Sequence, residues 1–256
     1  MSSSLGRSLI TTLLSASALA SGAPLFAGQT EGAAGVSEAT EIGDIVVTAR
    51  RREETLQKVP VSITAFTAAD LQARQVDNVS QIAQSTPNLV FNSSAPISGS
   101  NTAASIYIRG IGQTDFTLVT DPGVGLYLDG VYIARSVGGV LDLVDVQRVE
   151  VLRGPQGTLF GKNTIGGAIN ITSQPPKDAF GGSVELRTGS RNRIDGKAVV
   201  DLPVNDTLAL RVSAATLNQD GYVKNVGGPK LGNTKALLGR IALRWKPTDA
   251  LTVDLA

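Results

Sequence analysis

The sequence contains neither histidine nor cysteine among its 256 residues. Without them the chain has no Ser-His or Cys-His nucleophilic pair, no thiolate chemistry, no disulfide and no ordinary His or Cys zinc site. Its 22 acidic residues are scattered through polar turns, and no spaced pair of carboxylates suits acid-base catalysis. The composition therefore predicts a protein that is not an enzyme, with no catalytic residues, no metal site and no cofactor.

An excess of charge of either sign is also missing. The 23 basic and 22 acidic residues leave a net charge of +1 at pH 7. No long-range field therefore attracts nucleic acid or an acidic surface. The one basic cluster, Arg50-Arg51-Arg52, is followed at once by Glu53-Glu54, which is typical of a solvated linker. We expect no nucleic-acid partner.

Long hydrophobic runs are absent too, and the amino-terminal run Leu9–Ala20 has only twelve residues. A membrane-spanning helix needs about twenty. With Arg7 before it and small residues after it, the run predicts a secretory signal peptide over residues 1–27, cleaved after Ala20 or after Ala27. We therefore expect an exported protein, which could enter a membrane only as a β-barrel.

A flexible tether is predicted over residues 28–54. Gly28–Gly43 is rich in Gly, Ala, Ser and Glu and has no apolar periodicity. The β-prone island Asp44-Ile45-Val46-Val47-Thr48-Ala49 lies near the end of this tether, where we expect it to be extended without a partner strand. The alternative, that the island is the first ordinary strand of the next domain, stays open, because β-propensity is the same for both.

The most informative stretch is VEVLRGPQGTLFGKNTIGGAINI, residues 149–171. Two apolar, strand-like runs flank a segment with an unusual density of glycine. Such a density predicts repeated tight turns and close backbone approach. The glycines are Gly154, Gly157, Gly161, Gly166 and Gly167.

A phosphate-binding loop is the rival interpretation of this stretch. It would need a glycine five residues before a Gly-Lys pair, and Ser or Thr directly after the pair. The pair here is Gly161-Lys162, but position 156 is Gln and position 163 is Asn. The pattern fails at both positions, so nucleotide binding is not predicted.

Residues 55–176 predict a small α+β domain in which short strands and helices are interleaved. Thr67 is expected to cap a helix with Asp70 in its first turn, and a second short helix is expected from residue 77 or 78 through 83. Asp129-Gly130, between two apolar runs, predicts a hairpin with a type I′ turn. Strands are expected at 59–66, 105–109, 125–128, 131–133, 146–152 and 168–172.

The pattern changes after Pro175-Pro176, where apolar and polar residues alternate. Leu208, Leu210 and Val212, for example, are separated by Ala209 and Arg211. This period is typical of antiparallel strands with one apolar face, and residues 177–256 predict about five of them. The apolar face could pack on a second sheet in a soluble sandwich or face lipid in an outer-membrane barrel.

Four motifs together resemble the TonB-dependent outer-membrane receptors of bacteria. They are the island at 44–49, IYIRGIG at 106–112, VGLYLDGVYIAR at 124–135 and the glycine-rich stretch at 149–171, in the order that the family has them. The resemblance is close over residues 40–180 and looser elsewhere. It implies a plug domain at 55–176, followed by the first antiparallel strands of a transmembrane β-barrel at 177–256. Because bacterial barrels begin at eight strands, we expect the amino-terminal part of a longer receptor, with the barrel incomplete in this chain.

The resemblance also implies a function and the residues that serve it. The plug of such a receptor gates uptake of a scarce nutrient, most often a ferric siderophore or another iron chelate, across the outer membrane. Asp44, Ile45, Val46, Val47, Thr48 and Ala49 would form the TonB box, which the energy-transducing TonB complex captures. Arg109 and Arg153 would pair with acidic residues on the inner barrel wall. The turns of the plug signature would lie at Gly110, Gly154, Gly157, Gly161, Gly166 and Gly167.

Two other classes of protein stay open. A secreted, soluble β-rich binding or adhesion module would show the same two-residue period in its strands. A periplasmic α+β enzyme is disfavoured because the chain lacks histidine and cysteine. Fractionation with the outer membrane would separate the receptor from both.

Overall fold

The computed structural model describes residues 45–48, 52, 54–93, 103–114, 120–135, 139–228 and 230–256. These residues belong to one compact unit, Gly43–Ala256. The predicted signal peptide, the tether up to residue 44, and the box residues Asp44 and Ala49 lie outside the described residues. No helix within the described ranges is long and apolar enough to cross a bilayer.

The described part begins with a very short strand pair. β1 (Val46–Val47) runs antiparallel to β2 (Glu54–Thr55), with Val46 opposite Thr55 and Val47 opposite Glu54. A 3₁₀ turn, Leu56–Lys58, follows β2. The sequence predicted that the island would be extended without a partner. The island is extended, but residues 54 and 55 fold back to pair with it.

Eight further strands build the described part of the plug, in two sheets. They are β3 Ile63–Thr67, β4 Leu89–Asn92, β5 Ser105–Ile108, β6 Ile111–Gly112, β7 Val124–Leu128, β8 Val131–Tyr132, β9 Val146–Arg153 and β10 Gly167–Ser173. The central sheet has five strands in the order β3-β9-β10-β7-β8, and the second sheet has three in the order β4-β5-β6. β7 and β10 are parallel, and the other pairs are antiparallel.

The helix cap, the hairpin turn and the second helix that the sequence predicts are all present in the plug, the last in 3₁₀ form. Thr67 caps α1 (Ala68–Ala73) in a capping box with Asp70, as predicted. Asp129 and Gly130 join β7 to β8 with φ angles of 50° and 81°, as a type I′ turn requires. The second predicted helix is a 3₁₀ helix, Val79–Ser85, capped by Asn78 and Gln81. A further single-turn helix, α2 (Gly157–Phe160), lies inside the glycine-rich stretch.

Two apolar clusters lie on opposite faces of the central sheet. Successive side chains of β9 lie on opposite faces of this sheet, so Val149 and Val151 belong to one cluster and Leu152 belongs to the other. The larger cluster includes α1, the 3₁₀ helix, β4 and β5. The smaller one joins Leu152 to Val47 and Val59. The central sheet is therefore covered on one face by the rest of the plug and on the other by the first residues of the described chain.

The remaining residues form a five-stranded antiparallel sheet, here called the strand meander. Consecutive strands are neighbours throughout, and the connections alternate between two ends of the sheet. Turns at 206–207 and 249–250 lie at one end, while a turn at 190–192 and a long loop at 220–233 lie at the other. The strands are β11 Gly181–Gly189, β12 Arg193–Asn205, β13 Leu208–Gln219, β14 Thr234–Thr248 and β15 Leu251–Leu255.

The two faces of the strand meander differ as the alternation predicts. The outer face exposes large apolar side chains, with Val184 77% and Leu237 85% accessible. The inner face carries small and polar residues, and Arg211, Ser213 and Ala215 are buried there. Hydrogen bonds from this face reach residues of the plug. The plug therefore lies against the polar face, and the apolar face is turned away from it.

Candidate functional site

The described part of the predicted TonB box, Ile45–Thr48, lies against the plug and is here called the docked segment. Leu56 donates a backbone hydrogen bond of 2.8 Å to the carbonyl oxygen of Ile45. The Val47 side chain has no solvent exposure and packs with Val59 and Leu152. Val46 faces outward and is 44% exposed. Burial of one valine side chain stabilises the docked segment by about 1.5–3 kcal/mol.

Glu150 holds the end of the docked segment. This carboxylate on β9 is fully buried and accepts a 2.7 Å hydrogen bond from the Thr48 backbone N–H. The Thr48 hydroxyl lies within 3.2 and 3.3 Å of its two oxygens. Arg148 donates to Glu150 at 3.0 Å and to the Thr48 hydroxyl at 3.1 Å, and Asn170 donates to Glu150 at 3.3 Å. The carboxylate, one cation and the docked segment therefore form one network.

The network keeps the Glu150 carboxylate paired and occupies the Thr48 N–H. A buried carboxylate is stable only when it is paired and hydrogen-bonded, which Arg148, Asn170 and Thr48 together achieve. The Thr48 N–H is one of the groups that a partner strand would use in β-augmentation. While Thr48 donates to Glu150, that N–H cannot pair with another chain.

The two arginines that were predicted to pair with the barrel wall lie close to each other. Arg109 is exposed at a positive φ of 54°, and its Nη1 lies 3.5 Å from the position that a Cβ on Gly154 would take. Arg153 precedes this glycine and donates from Nη1 to the carbonyl oxygen of Pro87 at 3.4 Å. Its Nε is buried, and no described residue hydrogen-bonds to it. Neither arginine forms an ion pair with an acid in the described part of the chain, so their predicted pairing stays a prediction.

The glycine-rich stretch is a closed, turn-rich loop, as its composition indicates. A backbone bond of 2.9 Å from Gly154 to the carbonyl oxygen of Gly166 ties its two ends together, and a second of 2.9 Å from Gly166 to the carbonyl oxygen of Gly123 attaches it to the residue before β7. Gly110, Gly154, Gly161 and Gly167 have positive φ angles, whereas Gly157 has open space where a Cβ would lie. Among these glycines, Gly167 is the one that a larger residue could least replace, because a Cβ there would lie 2.2 Å from the Leu152 carbonyl oxygen. Glycine there allows β9 and β10 to pair closely.

Sequence reasoning missed a set of ion pairs between the plug and the strand meander. Asp145, which precedes β9, accepts two hydrogen bonds from Arg211 of β13, from Nε at 2.8 Å and from Nη2 at 2.6 Å. Asp77, between α1 and the 3₁₀ helix, accepts from Arg187 of β11 at 2.5 Å and from Arg193 of β12 at 2.8 Å. In each of these contacts between the plug and the strand meander, the acid belongs to the plug and the arginine to the meander.

One signal in the sequence could have indicated these pairs. Arg187, Arg211 and Arg240 all occupy the polar positions of the alternating strands, and these positions face the plug. The acidic partners of these arginines could not be predicted from the sequence in the same way. Asp77 and Asp145 lie in irregular segments without periodicity, and only the fold places them beside the arginines.

Known proteins are similar to this chain over most of its length. Residues 55–168 match the model of the TonB-dependent Receptor Plug Domain. The pesticin receptor of Yersinia pestis is 34% identical over 80% of this chain, and the iron-regulated outer membrane virulence protein of Vibrio cholerae is 30% identical over 82%. The solved ferric yersiniabactin uptake receptor FyuA from Yersinia pestis has 33% identity and a TM-score of 0.65 over 74% of this chain.

The chain spans about a third of the length of these relatives, 30% and 33% of the two receptors and 29% of the solved structure. The family consists of outer-membrane receptors and transporters rather than enzymes. The plug prediction and the predicted start of a barrel are confirmed. The chain belongs to the TonB-dependent outer-membrane receptors, and it corresponds to their plug domain and first barrel strands.

Proposed function

We propose that this chain serves TonB-dependent uptake of a ferric siderophore or another iron chelate across the outer membrane. The observation that carries the proposal is the plug, seated on the polar face of a strand meander whose apolar face is uncovered. The relatives support the ligand class, since one is iron-regulated and another takes up ferric yersiniabactin. No covalent chemistry is part of this function.

The same observation argues against a soluble β-sandwich. In a sandwich the apolar faces of two sheets pack on each other and the polar faces meet water. Here Val184, Leu186, Leu237 and Ile241 are exposed on one face, and within the described residues the plug covers the opposite, polar face. A lipid-facing outer surface accounts for this arrangement.

The ends of the strand meander indicate its orientation in the membrane. Outer-membrane barrels have short periplasmic turns and longer extracellular loops. The turns at 206–207 and 249–250 therefore belong to the periplasmic end, together with the connection from β10 to β11. The loop at 220–233 belongs to the outer end, where a chelate would arrive.

We assign residues 44–49 to recognition of TonB by strand pairing. Its described part, Ile45–Thr48, is extended, and the pairing of this part with β2 involves only two residues on each side. TonB would replace this pairing and the bond from Thr48 to Glu150 with main-chain bonds of its own. Proline should block this exchange, because it lacks the N–H and fixes φ.

The test uses Ile45→Pro and Val46→Pro in a complete receptor that carries this segment. Both variants should lose energy-dependent uptake of radioiron-labelled ferric yersiniabactin but keep its binding to cells on ice. Val46→Thr is the matched control, because Val46 is exposed and threonine keeps both the donor and the β-propensity. Normal uptake by the proline variants would mean that residues 44–49 are only the first strand of the plug.

Arg109 and Arg153 are assigned to ion pairs with the part of the barrel wall that the strand meander does not form. Neither guanidinium group pairs with an acid of the described residues, and the Arg153 Nε has no hydrogen-bond partner among them. Arg109→Glu and Arg153→Glu should each loosen the plug in a complete receptor and raise passive entry of vancomycin. If both variants are as tight as the unmodified receptor, the pairing is wrong.

A further inference from the structure

Two aspartates of the plug meet one arginine from each of the first four barrel strands. The aspartates, Asp77 and Asp145, are here called the aspartate seat. The arginines lie on consecutive strands, at Arg187 of β11, Arg193 of β12, Arg211 of β13 and Arg240 of β14. The contact therefore spans most of the strand meander rather than one strand.

The Asp145 end of the seat is a buried, forked ion pair. The side chains of Arg211 and Asp145 are only 9% and 4% exposed, and both Asp145 oxygens accept from the guanidinium. Arg211 also donates from Nη1 to Asp201 at 2.5 Å. Separating the plug from this wall would leave Asp145 without its main partner, and breaking a buried pair is strongly unfavourable.

The covalent connection between plug and barrel lies at the same place. Gln174, directly after β10, donates from its backbone N–H to the Asp145 carbonyl oxygen at 2.9 Å. Arg240 donates to the Gln174 carbonyl oxygen at 3.1 Å. Only residues 174–180 separate β10 from β11. The ion pairs and the chain connection therefore hold the same side of the plug.

The docked segment is held differently. It is held by the buried Val47 and the half-buried Ile45, by a strand pairing of two residues with one further backbone bond from Leu56, and by the hydrogen bonds of Thr48. These contacts can be lost one after another from the amino-terminal end of the docked segment, whereas the aspartate seat is attached at four strands. A pull on the docked segment consequently meets its weakest contacts first.

We propose that the aspartate seat stays on β11–β14 while TonB pulls the docked segment. The plug is then remodelled from its β1–β2 side, and the passage for the ligand opens along the side of the plug that faces away from these four strands. The inference rests on the proposed function. It adds which face of the plug is fixed and which face moves.

The experiment uses single cysteine substitutions, because residues 1–256 contain no native cysteine; any cysteine in the rest of the receptor is first replaced with serine. Ser213→Cys is a conservative reporter beneath the seat, since Ser213 lies on β13 two residues after Arg211 and is 2% exposed. Val59→Cys reports on the docked segment, because Val59 packs against Val47. Cells that carry a complete receptor with either cysteine receive ferric yersiniabactin and a small maleimide, with or without a protonophore.

In energised cells the Val59→Cys thiol should react at least about tenfold faster than in de-energised cells, as expected for local opening. The Ser213→Cys thiol should react equally slowly in both. Faster reaction of Ser213→Cys on energisation would overturn the inference and leave the proposed function standing. If neither thiol responds, the docked segment is not pulled, and the proposed function fails together with the inference.

Two further variants test whether the seat is what protects residue 213. Adding Asp145→Ala to Ser213→Cys should make the thiol reactive without energy, and continued protection would overturn the inference. Adding Asp254→Ala should have no effect. Asp254 makes an equally forked pair with Arg244, at 2.7 and 2.9 Å, but both residues lie in the strand meander. A similar gain of reactivity in both variants would show that loss of any arginine pair loosens the sheet, which would also overturn the inference.

Discussion

Replacing Glu150 with Gln should release the docked segment without unfolding the plug. Arg148 and Asn170 belong to the same sheet as Glu150 and stay near position 150 whether or not the segment is docked. Among the contacts of Glu150, only the bonds to Thr48 differ between the docked and the released state, chiefly the 2.7 Å bond from the Thr48 backbone N–H. A hydrogen bond to a charged group contributes about 1.5–3 kcal/mol, and one between neutral groups about 0.5–1.5 kcal/mol. Because glutamine keeps one acceptor oxygen but loses the charge, the substitution should weaken docking by about 1–1.5 kcal/mol and raise the open fraction roughly five- to tenfold.

Hydrogen exchange of residues 45–48 in a purified complete receptor measures this fraction directly. Exchange at Thr48 should accelerate by the same factor, while the amides of β9 and β10 stay protected. Glu185→Gln is the matched control, because the Glu185 side chain is 42% exposed and lies on β11, in a different sheet from the docked segment and from Glu150. Thr48→Ser should be nearly neutral, since it keeps both the amide and the hydroxyl. Unchanged exchange in Glu150→Gln would refute the reasoning and leave burial of Val47 as the main attachment.

Gly167→Val should lower the free energy of unfolding of the plug by about 3 kcal/mol or more, because the valine side chain would collide with the Leu152 carbonyl oxygen on β9. Gly157→Ala is the control, because open space surrounds Gly157, and in thermal unfolding it should cost less than about 1 kcal/mol. Thr67→Ala should cost about 1 kcal/mol through loss of the helix cap. Hydrogen bonds from the Thr67 hydroxyl and then from its backbone N–H lower the pKa of Asp70, so its folded pKa lies below its unfolded one. The stability that ionised Asp70 contributes is therefore fully present above its unfolded pKa and is lost as the pH falls through its folded pKa. Thr67→Ala should accordingly lower the melting temperature less at acid pH than at neutral pH. A lowering that stays constant through the acid range would contradict this.

Local signals in the sequence predicted a large part of the architecture. A two-residue period does not depend on distant contacts, so the five strands of the meander and their apolar faces could be read directly. The same is true of the Thr67 cap and the Asp129-Gly130 turn, whose chemistry is confined to a few neighbouring residues. The 3₁₀ form of the second helix was not readable, since the Val79 N–H bonds to Leu141 in a distant part of the chain.

The sequence by itself determined where most strands and helices form, that residues 154–167 are rich in turns, and the order of motifs that is typical of the receptor family. Only the tertiary structure decides that the β-prone island docks on Glu150, and that the plug meets β11–β14 through Asp77 and Asp145. The physical reason is sequence separation. Thr48 and Glu150 are 102 positions apart, and Asp145 and Arg211 are 66 apart, so no periodicity or propensity can link them. Their pairing is set by the register of β9 and β13 in two different sheets.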